Sequence, residues 1–151
     1  MSLRGSLRRA GARWAAWTYR RTDGRAFNGR GAPHVLLLTT PGRRSGEERS
    51  TCVAFLESDG GYVVWGTASG AKHDPHWILN LRAAGRTKVQ VMDRRFAAAF
   101  EEYAGAERDA VWNDLITKRV PAGRRYAARA GRTIPVGILR PTTKPPAPVD
   151  K

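Results

Sequence analysis

The stretch HVLLLTTPGRRSGEERSTCVAFLESDGGYVVWGTASGAKHDPHWILNL, residues 34–81, decides the fold. His34–Thr40 is a short apolar run that stops at Pro41-Gly42, which predicts a buried strand. Arg49–Leu56 predicts a second strand and Tyr62–Thr67 a third, with Ser58-Asp59-Gly60-Gly61 as a tight hairpin turn between them. A helix then starts at Asp74-Pro75, with Asp74 as N-cap and Pro75 at the first helical position. It runs through Leu81 to about Ala84, and Gly85 closes it.

Outward from this stretch, Lys88–Met92 and Arg95–Glu102 alternate and pair across Asp93-Arg94 as two more strands. Glu107–Lys118 reads as a helix with Val111, Trp112 and Leu115 facing inward, and Pro121 ends it. A short helix follows around Arg124–Ala130, then a last strand, Thr133–Leu139, whose Pro135 suggests an edge or a bulge. Hairpin-linked strands with inserted helices argue for an antiparallel sheet or barrel, not a doubly wound parallel fold.

Two end segments frame this body. Residues 1–21 read as an amphipathic basic helix: Leu3, Leu7, Ala10, Trp14 and Trp17 form one stripe, and Arg4, Arg8, Arg9, Arg13 and Arg20 lie off it. Such a face either packs on the body or lies on a membrane interface. Thr22-Asp23-Gly24 breaks the helix and the Gly-rich Asn28–Pro33 is a loop. Residues 142–151 read as a Pro-rich disordered tail. The central domain is therefore residues 22–141.

The chain has 151 residues and a net charge of +14, with 22 Arg and 5 Lys, so its partners should be anionic. Residues 1–30 carry +7 and 104–151 carry +6, while 31–60 carry −1 and 61–103 carry +2. That clustering at the ends, without aromatics interleaved among bases, argues against nucleic acid. The single Cys52 excludes an internal disulfide framework and fits a reducing, cytoplasmic setting. No apolar run is long enough to span a membrane. The three histidines, His34, His73 and His76, show no metal-ligand spacing, and no nucleophilic triad is legible. Any chemistry should then belong to a bound organic cofactor.

Three constellations could hold one. Arg43, Arg44, Ser45 and Gly46, followed by Arg49, can form an anion nest with guanidinium clamps, or be an ordinary hairpin turn. The small-residue run Gly66-Thr67-Ala68-Ser69-Gly70 leads towards a helix start, where small side chains and N–H donors suit a flat ligand or a phosphate. Trp77 and Asn80, beside His76, share a helix face and could hold a ring, or could be a core Trp and a solvated Asn.

The runs TYRRTDG (18–24), LLLTTPGRRSGEERST (36–51), DGGYVVWGTASGAKHDPHWILNL (59–81) and GRTIPV (131–136) resemble the actinobacterial deazaflavin-dependent nitroreductases and F420H2-dependent quinone reductases. The resemblance covers about residues 14–141. It implies an α+β fold, mainly antiparallel: a split β-barrel of the FMN-binding split-barrel type with flanking helices. It also implies coenzyme F420, an 8-hydroxy-5-deazaflavin, and hydride transfer to a quinone-like, nitroaromatic or other hydrophobic electrophilic acceptor. On that resemblance Arg43, Arg44, Ser45, Gly46 and Arg49 bind the coenzyme's phosphate and oligoglutamate tail. Trp65, Gly66, Thr67, Ala68, His76, Trp77 and Asn80 hold its ring, and Thr67 and Tyr126 position the acceptor.

Some positions depart from the family pattern. Thr67-Ala68 stands where activating members place Ser-Lys, and Ala54, Val120 and Gly123 stand where several carry Tyr. Ile78 replaces a Tyr and Cys52 a Pro. These losses imply a wider, more apolar acceptor pocket and make a second class worth stating: an F420 or lipid carrier without turnover. The location expected is cytoplasmic, with residues 1–21 free to meet the anionic inner face of the cell membrane.

Overall fold

The computed structural model describes residues 3–30 and 34–142. Helix α1 (Leu3–Thr22) leads to strand β1 (Val35–Pro41), followed by β2 (Glu48–Ala54), β3 (Leu56–Ser58) and β4 (Gly61–Trp65). A 3-10 turn at Ala68–Gly70 precedes helix α2 (His76–Ala84). Strands β5 (Arg86–Val91) and β6 (Arg94–Glu102) form the next hairpin. Helix α3 (Gly105–Val111) continues through a π turn, Trp112–Ile116, into one last turn, α4 (Thr117–Arg119). Helix α5 (Ala122–Ala130) and strand β7 (Val136–Pro141) complete the order.

All seven strands join one sheet in the order β2-β1-β5-β6-β7-β4-β3, with every pairing antiparallel. The chain passes from β2 at one edge to β3 at the other through the single residue Phe55. Such a link forces the sheet to curl until its edges approach, which makes it a split barrel. The sequence reads Arg49–Leu56 as one strand because nothing in its alternation marks that change of partner.

Both faces of the sheet are covered, which explains the continuous apolar runs. Leu36, Leu38, Val64, Val89 and Leu139 fill the interior with Phe55 and Tyr62. Between them in sequence, Leu37 points outward under Ala16 and Tyr19 of α1. Val63, Val136 and Ile138 face outward under Trp112, Ile116 and Ala130. The Tyr19 hydroxyl donates to the Val35 carbonyl at 2.9 Å and accepts the Met92 N–H at 3.1 Å, which fixes the end of α1 to β1 and to the turn between β5 and β6.

The structure corrects two expectations and removes one of the two readings of α1. Pro75, not Asp74, is the N-cap of α2, and no side chain caps it, because the Asp74 carboxylate pairs with Arg132 and Arg82. Strand β7 is interior, between β6 and β4; it starts at Val136, so Pro135 stands outside the ladder and needs no edge. The apolar stripe of α1 does not pack on the body. Leu3, Leu7, Trp14 and Trp17 are 60–80% exposed, and the helix docks through Ala16 and Tyr19 on the opposite side. The Pro-rich tail, apart from Thr142, lies outside the described residues, as do residues 31–33 of the Gly-rich loop.

Gly137 marks the tightest crossing in the sheet. A Cβ there would strike the Phe100 ring and come within 2.8 Å of the Glu101 carbonyl oxygen. The ladder cannot yield without losing its bonds, so Gly137→Ala should cost about 2 kcal/mol or more. A drop in the urea midpoint at constant slope is the expected reading; an unchanged midpoint would refute it.

Candidate functional site

The loop between β1 and β2 is built by its own backbone. The Gly42 N–H donates to the Glu47 carbonyl at 2.7 Å, and the Gly46 N–H donates to the Gly42 carbonyl at 2.9 Å. Gly46 has φ 74°, which a side chain would resist. The Ser45 hydroxyl accepts the Glu47 N–H at 3.2 Å, so Ser45 shapes the turn. Arg49 pairs with Glu47 at 3.3 Å. Arg44 is exposed and makes no hydrogen bond or ion pair among the described residues.

Helix α2 fixes this loop in space. The side-chain amide oxygen Oδ1 of the buried Asn80 accepts the Arg43 backbone N–H at 3.2 Å and its Nη1–H at 2.9 Å. Arg43 Nη2 lies 3.3 Å from His76 Nδ1. A guanidinium can only donate, so Nδ1 accepts and the neutral ring carries its proton on Nε2. Burial lowers the His76 pKa, and Arg43, His73, Arg44 and Arg8 lower it further. Asn80 is therefore engaged with the loop, while Trp77 is half-buried against the barrel interior. Arg43, His76 and Asn80 converge; Trp77 and Asn80 do not form an open pair.

The second wall is the segment after β4. Thr67 is right-handed (φ −72°, ψ −27°), and Ala68 and Ser69 have φ 47° and 54°. A right-then-left-handed pair turns successive N–H groups to one side and makes an anion-binding concavity. The glycines here serve the protein's own packing. A Cβ on Gly66 would sit 3.0 Å from Pro75, and one on Gly70 2.8 Å from Arg129. Trp65 is half-buried against the outer core under α3 and α5. Tyr126, one turn before Arg129 on α5, lies on the helix that packs against this segment. Pro75 packs against Gly66 and Asn80 holds Arg43, so the start of α2 contacts both segments.

Sequence reasoning missed the residue that holds the second wall. Arg132 Nε donates to the Ala71 carbonyl at 3.0 Å, and Nη2 donates to the Gly66 and Thr67 carbonyls at 3.2 Å each. Its Nη1 meets Asp74 at 2.8 Å, and Asp74 also pairs with Arg82, which reaches Glu102 at 2.9 Å. The only sequence signal was that Arg132 lies in the GRTIPV run; a separation of 58 residues from Asp74 shows no pattern.

The donor set fits a polyanionic coenzyme. Arg43, Arg44, His73 and Arg8 all act on the charge of His76, and the carboxylates Glu47 and Asp74 are already paired with Arg. Cys52 is no nucleophile, since burial pushes its thiol up to about 11. Among the described residues no group of three His, Cys, Asp or Glu could hold a metal ion.

The model of the F420H(2)-dependent quinone reductase family matches residues 11–141. An F420H(2)-dependent quinone reductase of Mycobacterium tuberculosis is 27% identical over 124 residues, covering 80% of this chain and 83% of its own. A solved F420-H2 dependent reductase, FDR-A, superposes with a TM-score of 0.62 at 29% identity over 70% of this chain and 93% of that one. A structure described as a domain-swapped dimer gives 0.65 at 28% identity over 84% and 97%. With split barrel, cationic loop and matched family model in agreement, the chain belongs to the F420H(2)-dependent quinone reductase family.

Proposed function

We propose that this chain binds reduced coenzyme F420 between the 42–49 loop and the 66–70 turn, and reduces a quinone-like or other hydrophobic electrophilic acceptor. The observation that carries the reading is the Arg43–Asn80–His76 lock, which orders a cationic loop beside the start of α2. When bound, the reduced deazaflavin supplies the hydride. The protein's part is to bind and orient. Arg44 and Arg49 take the phosphate and carboxylates of the tail, while Arg43, with Ser45 and Gly46, keeps the loop in shape. The turn N–H groups of Thr67 and Ala68 meet the polar edge of the ring, between Trp65, Gly66 and the α2 start at His76, Trp77 and Asn80. Thr67 and Tyr126 line the side from which the acceptor comes.

Oxidation of reduced coenzyme by menadione tests turnover: acceptor-dependent loss of reduced coenzyme is expected. Tight binding without oxidation would instead favour a carrier. The carrier reading rests on the residues at Ala54, Val120 and Gly123, where several relatives carry Tyr; at Gly123 a larger side chain would meet Trp112, which lies 3.3 Å from the Cβ position.

The His76 environment gives a pH signature. An anion favours the charged imidazole, whereas the free protein holds its pKa below 6.5. The proton enters at Nδ1 and releases the Arg43 contact there, while Asn80 keeps the loop in place; coenzyme binding should therefore take up a proton, and affinity should rise as pH falls towards the lowered His76 range, before tail carboxylates protonate. His76→Gln should flatten that rise; a profile unchanged by the substitution would assign it elsewhere.

Helix α1 supports membrane delivery. It carries no acidic residue, and its apolar stripe faces away from the barrel. No described helix is long and apolar enough to cross a membrane, so the contact would be peripheral. Vesicles containing phosphatidylglycerol should sediment the protein, and Trp14→Ser with Trp17→Ser should release it. Equal sedimentation of both forms would reject the idea.

A further inference from the structure

Helix α1 has two working faces, and only one of them is apolar. Arg4, Arg8, Ala12, Ala16 and Tyr19 follow one another at spacings of four, four, four and three, so they form one row along the helix. Ala16 and Tyr19 of that row are buried on the sheet. The apolar stripe through Leu7 and Trp14 lies roughly opposite, at 100° of rotation per residue.

The direction of α1 follows from its contacts. Arg20 Nη2 donates to the Ser50 hydroxyl at 2.8 Å, and Arg13 and Glu48 line one groove with Ser50. Ser50 pairs with Thr39 and Glu48 with Pro41. Each step towards the N-terminus of α1 therefore moves towards Pro41, where the 42–47 loop begins. Residues before Arg13 continue past the end of the strands. The Arg4 and Arg8 positions, which keep the body-facing phase, then overhang the loop that carries Arg43 and Arg44. Arg8 is in fact close enough to His76 to act on its charge. Neither Arg4 nor Arg8 makes a hydrogen bond or ion pair among the described residues, and both are exposed. Cations thus gather from a helix, a loop and the start of α2, with no carboxylate among the groups that act on His76. Like charges brought together in this way repel unless an anion lies between them.

We infer that the N-terminal half of α1 roofs the 42–47 loop and that Arg4 and Arg8 bind the polycarboxylate tail of the coenzyme from the side opposite Arg44. The inference rests on the coenzyme-binding reading above and adds a tail subsite supplied by α1. It also gives the helix separate surfaces for two tasks: the Arg row for the tail, the Trp stripe for lipid.

The test compares two ligands on the full chain by fluorescence titration. One is the coenzyme with its glutamates; the other is the deazaflavin with ribitol only, lacking phosphate and glutamates. Arg4→Ala with Arg8→Ala should weaken the tail-bearing ligand roughly tenfold and leave the tail-less one within about twofold. Arg4→Lys with Arg8→Lys should recover most of the loss, and added salt should narrow the gap between wild type and the alanine variant. Wild-type affinity of the alanine variant for the tail-bearing ligand would overturn the inference, as would an equal loss for both ligands. Unchanged coenzyme affinity with reduced sedimentation on phosphatidylglycerol vesicles would give these arginines to lipid headgroups instead. If the wild-type chain binds neither ligand, the coenzyme-binding reading itself fails.

Discussion

Replacing Arg132 with Met should destabilise the protein by about 3 kcal/mol and loosen the turn at residues 66–70. The guanidinium spends four hydrogen bonds on one segment: the Ala71, Gly66 and Thr67 carbonyls and the Asp74 carboxylate. Methionine would fill the volume and satisfy none of them. Arg82 would still hold Asp74, which limits the cost of the orphaned carboxylate. Ala68 and Ser69 sit in left-handed conformations that are unfavourable for side chains, so the turn needs an external hold. Thermal unfolding would read the stability. Coenzyme titration of the folded fraction would read the turn, with weaker binding expected. A variant as stable as wild type would show that the Asp74–Arg82 pair and Gly70 suffice.

Removing Arg44 and Arg49 together should weaken coenzyme binding about a hundredfold. Arg44 makes no bond or ion pair among the described residues, and Arg49 meets only Glu47. Their loss therefore leaves the fold intact, and the unfolding midpoint of Arg44→Ala with Arg49→Ala should stay near that of wild type. Arg43 differs, because its side chain locks the loop to Asn80. Arg43→Ala should lower both stability and affinity. Unchanged affinity in the double variant would mean that the tail runs elsewhere.

Much of the fold was legible because local signals and topology agreed. The hairpin at Ser58–Gly61, the strands expected at His34–Thr40 and Tyr62–Thr67 and the stop at Gly85 are short-range features; the turn and the stop appear in place, and the strands fall at Val35–Pro41 and Gly61–Trp65. What was not legible depends on distant partners. Asp74-Pro75 has the form of a cap and first helical residue, but Arg132 takes the carboxylate from 58 residues away. Pro135 suggests an edge strand, yet β7 begins one residue later and gains two neighbours. The stripe of α1 was visible by spacing, but spacing does not say which face docks; Tyr19, with its two backbone partners, decides it.

The site shows the same division. The turn at Arg43-Arg44-Ser45-Gly46 was legible from its flanking glycines, and its charge from its arginines. Its rigidity comes from Asn80, whose position beside Trp77 on α2 suggested a ring contact instead. Gly66 and Gly70 suggested room for a ligand, whereas Pro75 and Arg129 fill that room. The charge of +14 likewise divides. Some of its cations gather around the start of α2, and others flank the exposed stripe of α1.

The roles proposed for these residues all depend on reduced coenzyme F420 binding between the 42–49 loop and the 66–70 turn. Titration of the full chain with purified coenzyme, followed by deazaflavin fluorescence, tests it most directly. Saturable binding at micromolar coenzyme, weakened by salt and by loss of Arg44 and Arg49, is the expected result. Folded protein that shows no saturation at micromolar coenzyme would contradict it.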